Sequence, residues 1–135
     1  MKDVCCHVGL FTKSPKKLIE FYTEKLGFEL GESKQISSDW MEQIFGLQAD
    51  CQLTKLKFGD LIIEIFSPQR GELQDRKAPM VGFNHLGIGV EDKKSFVQYL
   101  EKKGMPVLIL GKKGRFVYFI RDPEGNLIEI YESKV

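Results

Sequence analysis

Two periodicities take turns along the chain. "CCHVGLFT", residues 5–12, alternates apolar and polar positions as a half-buried strand does. "SPKKLIEFYTEKLGF", residues 14–28, then places Leu18, Ile19, Tyr22 and Leu26 at helical spacing. Ser14 stands where an N-cap belongs, Pro15 suits the first helical position, and Gly27 suits the C-terminal cap. The same order returns in "FNHLGIGV", 83–90, and "EDKKSFVQYLEKKGMPV", 91–107, where Phe96, Val97 and Leu100 share a helical face between Asp92 and Gly104. Three β-rich runs follow each helix: "FELGESKQI", "QLTKLKF" and "DLIIEIF" in the first half, "PVLIL", "RFVYFI" and "NLIEIYE" in the second. "DPEGN", 122–126, supplies turn chemistry between the last two.

The chain therefore reads as two copies of one β-α-β-β-β unit, an α+β protein. His85 follows His7 by 78 residues and Gly104 follows Gly27 by 77, whereas Glu129 follows Glu64 by only 65. The copies stay in step through the helix, and the first carries extra residues before its last strand. Those include "SSDWMEQIFGLQAD", 37–50, where Trp40, Ile44 and Phe45 line one side of a short helix ending at Gly46. A packing helix is the first expectation there, a substrate-facing lid the second. The boundaries predicted are a first module over 1–66, a polar linker over 67–82 and a second module over 83–135, together one domain of 1–135.

Composition narrows the class. Apolar residues make up 42% and charged residues 29% of 135, enough for a core without disulfides. A formal net charge of +1 gives no reason to expect nucleic acid or a membrane surface as partner. The one basic cluster, "GKKGR" at 111–115, reads as a solvated hairpin rather than a phosphate site. Cys5, Cys6 and Cys51 form an odd set without C-x-x-C spacing, and neither a signal peptide nor an apolar span of about 18 residues is found. These features predict a reduced, cytoplasmic protein. A zinc knuckle from "CCH" is disfavoured, because neighbours on a strand point to opposite faces.

The candidate chemistry lies in four residues. His7 and His85, the two histidines of the chain, fall on the first strand of each copy, and Glu64 and Glu129 fall on the last. Singly, each has an ordinary explanation as a packed histidine or a solvent-facing acid. Together, the repeat puts two imidazoles and two carboxylates at equivalent positions among apolar neighbours, and unpaired buried carboxylates are very costly. A shared divalent cation would satisfy all four. Two nitrogens and two oxygens suit Ni²⁺, Co²⁺, Zn²⁺, Fe²⁺ or Mn²⁺ better than calcium. Alternation further predicts the walls: Cys5 and Gly9 beside His7, Ile62 and Phe66 beside Glu64, Phe83 and Gly87 beside His85, Leu127 and Tyr131 beside Glu129.

"HVGLFTKSPKKLIEFYTEKLGFEL", "GDLIIEIF", "NHLGIGVED" and above all "YFIRDPEGNLIEIYE" resemble the vicinal oxygen chelate superfamily, the glyoxalase, bleomycin resistance and dioxygenase family, over nearly the whole chain. The resemblance implies tandem βαβββ repeats forming a curved β-sheet cup with helices outside. It also implies a homodimer acting on a small molecule. His7, Glu64, His85 and Glu129 match, in order, the His, Glu, His, Glu pattern of short bacterial glyoxalase I. That match implies one divalent metal ion, Ni, Co or Zn before Fe or Mn, and a lyase acting on the hemithioacetal of a 2-oxoaldehyde and a thiol. Glu129 would be the base and Glu64 its symmetry mate. The alternatives carried by the family are a methylmalonyl-CoA epimerase-like enzyme, an iron dioxygenase, a fosfomycin-resistance thiol transferase and a metal-free binding protein. No glutathione-binding set is matched, although Arg70, Arg76, Arg115 and Arg121 are available.

Overall fold

Strands, helices and turns of each half form one four-stranded mixed sheet with helical cover, and the two sheets have the same strand order. The computed structural model describes residues 5–77 and 79–133. Residues 1–4, 78 and 134–135, which fall in the expected modules and linker, lie outside the described residues. Two compact units meet in sequence at Asp75 and Arg76, inside the stretch expected to be linker.

The first unit contains β1 (His7–Phe11), α1 (Pro15–Glu20), β2 (Glu29–Ile36), α2 (Ser38–Phe45), β3 (Cys51–Phe58) and β4 (Leu61–Pro68). The second contains β5 (His85–Val90), α3 (Lys93–Lys102), β6 (Leu108–Lys112), β7 (Arg115–Arg121) and β8 (Leu127–Glu132). The sheet orders are β1-β4-β3-β2 and β5-β8-β7-β6. In each, the first strand runs parallel to the last and the remaining pairs are antiparallel. This is the expected α+β fold of repeated βαβββ units, with α2 as the insertion of the first.

One face of each sheet is the core. In the first unit Leu56 and Ile63, register partners, are fully buried with Ile65, Leu18, Tyr22 and Leu26. In the second, Ile128 and its partner Ile120 are buried with Ile88, Ile130, Val97 and Leu100. Each such aliphatic side chain removed from water contributes roughly 1.5–3 kcal/mol.

Local details depart from the sequence reading for physical reasons. The helix expected over 14–28 is α-helical only through Glu20; Phe21–Lys25 is π-helical, with Leu26 N–H bonded to Phe21 O at 3.3 Å. The widened turn buries adjacent Phe21 and Tyr22 together, and Tyr22 meets both Phe21 and Phe28 edge-on. Ser14 stands at the N-cap, but its side chain makes no cap bond; its N–H instead donates to the Thr12 hydroxyl at 2.9 Å. Asp92 does cap α3, accepting from the Ser95 amide and hydroxyl. Those two bonds hold its carboxyl below the ordinary aspartate range, so the cap is complete at neutral pH and is lost in acid. β4 continues to Pro68, shortening the expected linker at its start. The Asp122 carboxylate fastens the β7–β8 turn by accepting from the Glu124 and Asn126 amides and the Asn126 side chain, each at 2.9 Å.

Cys51 is fully buried in β3, and burial raises its thiol above the usual range, while Cys5 and Cys6 are exposed. A thiol reagent at neutral pH is expected to modify two thiols of the native protein rapidly and the third only in denaturant. Rapid modification of all three would show that the β3 packing is wrong.

Candidate functional site

Parallel pairing decides which side chains meet on the face opposite the core. Gly9 is the register partner of Glu64 and His7 of Ile62. In the second unit Gly87 partners Glu129 and His85 partners Leu127. Residues two apart share a face, so each histidine stands one diagonal step from its glutamate, and the position between them on its own strand is a glycine. His7 Nε2 lies 2.9 Å from Glu64 Oε1, and His85 Nε2 lies 3.4 Å from Glu129 Oε2.

The predicted ligands thus come together as two pairs, one in each unit, and within neither unit does a third His, Cys, Asp or Glu join the pair among the described residues. The pairs are also more open than the apolar sequence around them suggests. Side-chain exposure is 55% for His7 and 13% for Glu64, 39% for His85 and 20% for Glu129. The acids are half-buried on an open sheet face rather than locked in a core.

The walls are partly as alternation predicts. Phe66 lies over Gly9, where an added Cβ would meet its ring at 3.3 Å, and Phe66 also packs edge-on against Phe11 and Phe45. α2 supplies that Phe45, and Ser37 and left-handed Gly46 bound the helix. The face of α2 that packs is marked by Met41, fully buried, while Trp40 and Ile44 are exposed. Cys5 precedes β1 and Phe83 precedes β5; Phe83 is fully solvent-exposed, so neither joins the strand wall expected of it.

The two pairs differ in their surroundings. Glu64 has Lys55 as its cross-strand neighbour on β3, and Lys55 in turn pairs with Glu32 at 3.1 Å. Glu129 has Phe119 in the equivalent place on β7, and the Phe119 ring stands edge-on to His85 with centroids 5.7 Å apart. An added Cβ at Gly87 would meet nothing within 4 Å. Open space therefore adjoins Glu129, whereas aromatic rings fill the corresponding place beside Glu64.

The donor chemistry fits a divalent cation. Asn84 Oδ1 lies 2.5 Å from His85 Nδ1, and the other ring nitrogen, Nε2, is directed toward a carboxylate. Two acceptors facing each other need a proton or a metal ion between them, and fixing the far ring nitrogen is how metal-binding histidines are oriented. Asn84 and Phe119 are the neighbours that sequence reasoning missed. Asn84 was legible only as the residue before His85, and Phe119 required the β7–β8 register.

Comparison with known proteins places the fold. The sequence model of the Glyoxalase/Bleomycin resistance protein/Dioxygenase superfamily matches residues 6–130. A glyoxalase family protein from Enterococcus faecalis is similar in structure, with TM-score 0.71 and 24% identity over 96% of this chain and 97% of its own. The trypanothione-dependent glyoxalase I of Leishmania major gives TM-score 0.73 at 23% identity, covering 98% and 88%. Lactoylglutathione lyase from Agrobacterium tumefaciens gives 0.65 at 22%, covering 98% and 96%. At these identities the likeness is one of fold. No curated protein matches the sequence.

Proposed function

Because the chain belongs to the Glyoxalase/Bleomycin resistance protein/Dioxygenase superfamily, we propose that it is a divalent-metal-dependent lyase of the glyoxalase I kind, isomerising the hemithioacetal of a 2-oxoaldehyde and a thiol. The observation that carries the reading is the duplicated diagonal of histidine, glycine and glutamate, His7–Gly9–Glu64 and His85–Gly87–Glu129, on equivalent strands of the two sheets. His7, Glu64, His85 and Glu129 would hold the ion, with Ni²⁺, Co²⁺ or Zn²⁺ favoured over Fe²⁺ or Mn²⁺. When bound, such an ion supplies Lewis acidity to the vicinal oxygens of the substrate.

The chain's own residues divide the remaining work. Glu129 is the base: it takes the proton from the hemithioacetal carbon and returns it to the neighbouring carbon, leaving a 2-hydroxyacyl thioester with no net gain or loss of atoms. Glu129 is the freer carboxylate, with the longer distance to its histidine, an aromatic cross-strand neighbour and open space at Gly87. Glu64, 2.9 Å from His7, acts as its counterpart and as a ligand. A dioxygenase or thiol transferase using two histidines and one carboxylate would leave Glu64 without a role. A homodimer goes with this reading through the family resemblance; a light-scattering mass of one chain, 15.5 kDa, would count against it. Among the described residues no helix is long and apolar enough to cross a membrane.

The test is turnover of methylglyoxal hemithioacetals by protein stripped with chelator and reconstituted with single ions. Activity is expected to return with Ni²⁺, Co²⁺ or Zn²⁺. Oxygen consumption with Fe²⁺ and no isomerisation would replace the reading with a dioxygenase.

A further inference from the structure

The basic hairpin, which reads from sequence as a solvated loop, has an environment in the structure that the reaction above does not use. Strands β6 and β7 carry Lys112, Arg115 and Arg121, the turn between them carries Lys113, and no acid occurs from residue 106 to 121. Among the described residues Lys112, Lys113 and Arg115 form no ion pair, whereas Lys13 pairs with Asp75 and Lys55 with Glu32. The backbone that carries them is fixed. A two-residue turn at Lys113 and Gly114, both at positive φ, joins the strands. On the far face the Phe116 ring covers Gly111, and Lys93 Nζ donates to Phe116 O at 2.9 Å.

Register ties this tip to the candidate site. Lys112 pairs with Arg115, Leu110 with Val117, and Leu108 with Phe119, while Phe119 pairs with Glu129. Alternation therefore sets Arg115, Val117 and Phe119 on the same sheet face as Glu129, with Lys112, Leu110 and Leu108 beside them. Leu108, Leu110 and Val117 are exposed at 53%, 51% and 42%, an apolar stretch between the acid and the cations. An open groove of about 790 Å³ is lined by Leu110, Gly111, Lys112, Lys113, Arg115 and Val117, all from this hairpin. From Phe119 to Arg115 the strand covers about 13 Å at roughly 3.3 Å per residue.

We propose that the β6–β7 tip is an anion subsite, and that the substrate is an amphiphile with three parts: an oxygen-bearing head at His85 and Glu129, an apolar middle over Leu110 and Val117, and a carboxylate or phosphate tail on Lys112, Lys113 and Arg115. The position of the head rests on the function proposed above; the anion subsite stands on the hairpin alone. The first unit offers no such tip: its β2 and β3 are joined through α2, and Lys55 on its open face is paired with Glu32.

The test uses the metal-free, ¹⁵N-labelled protein and four probes: hexyl phosphate, hexanoate, hexanol and inorganic phosphate. Hexyl phosphate and hexanoate are expected to shift the amides of Gly111, Lys113 and Val117, the two affinities ranking phosphate against carboxylate as the tail. Hexanol and inorganic phosphate are expected to bind about tenfold more weakly, since each lacks one half of the contact. The double variant Lys112→Gln/Arg115→Gln should weaken both anionic probes by about tenfold or more, and added salt should do the same. Equal binding of hexanol, or unchanged binding by the double variant, would overturn the proposal. In the metal-loaded enzyme, the double variant should raise KM for a hemithioacetal of an anionic thiol several-fold more than KM for one of a neutral thiol; an equal rise for both would count against the subsite. If hexyl phosphate binds at the tip but no ion is ever held, the proposed reaction fails and the anion subsite does not.

Discussion

Glu129→Gln is expected to lower turnover of a hemithioacetal by about 10²–10⁴-fold, the range contributed by a positioned general base. Gln keeps the size and one oxygen of the carboxylate but cannot take up a proton at neutral pH. The Glu129 side chain faces open space beside Gly87, 3.4 Å from His85 Nε2, so the substitution removes the base without creating a cavity or an overlap. Glu64→Gln should cost less, because Glu64 sits against His7 under the Phe66 side of the sheet and has no comparable opening. Measured side by side with the same ion, the two variants rank the carboxylates. A larger loss at Glu64 than at Glu129 would exchange their assigned roles.

Truncating either sheet's central isoleucine should cost about 2–5 kcal/mol. Ile63 and Ile128 are both fully buried, and each is flanked on both sides: Ile63 by Val8 and Leu56, Ile128 by Leu86 and Ile120. They hold corresponding places on β4 and β8, each one residue before the glutamate of its pair. Ile63→Ala and Ile128→Ala should shift the urea midpoint downward with little change in slope. A loss below about 1 kcal/mol for both would mean that the faces assigned to core and site are exchanged, since strand alternation lets only one of them be buried.

How far the sequence carries can be seen residue by residue. The order of elements was legible because alternation and 3.6-residue spacing are local, and because the repeat supplied each pattern twice. α2 was legible from its Gly46 terminus and its apolar positions, although not which of them pack; Met41, the buried one, fell outside the expected stripe. The π-helical turn at Phe21–Lys25 was not legible, since it accompanies the packing of Tyr22 between Phe21 and Phe28, which helical spacing does not encode. Strand alternation placed each histidine and glutamate on a face but assigned no partners. The pairing of His7 with Glu64 and of His85 with Glu129 needed the parallel register of first and last strands, 57 and 44 residues apart. The basic tip reads from sequence as a solvated hairpin, because a charge run gives no sign of what lies along its strands; register with Phe119 and Glu129 gives it a neighbour.

The central proposal is that His7, Glu64, His85 and Glu129 are all needed to bind a divalent ion. Calorimetric titration of the chelator-stripped protein with Ni²⁺ or Zn²⁺, run on the native chain and on the His7→Ala and His85→Ala variants, tests it most directly. The account predicts one ion per chain, with affinity lost in either variant alone. Two ions per chain, each lost only with its own histidine, or no binding at all, would contradict it.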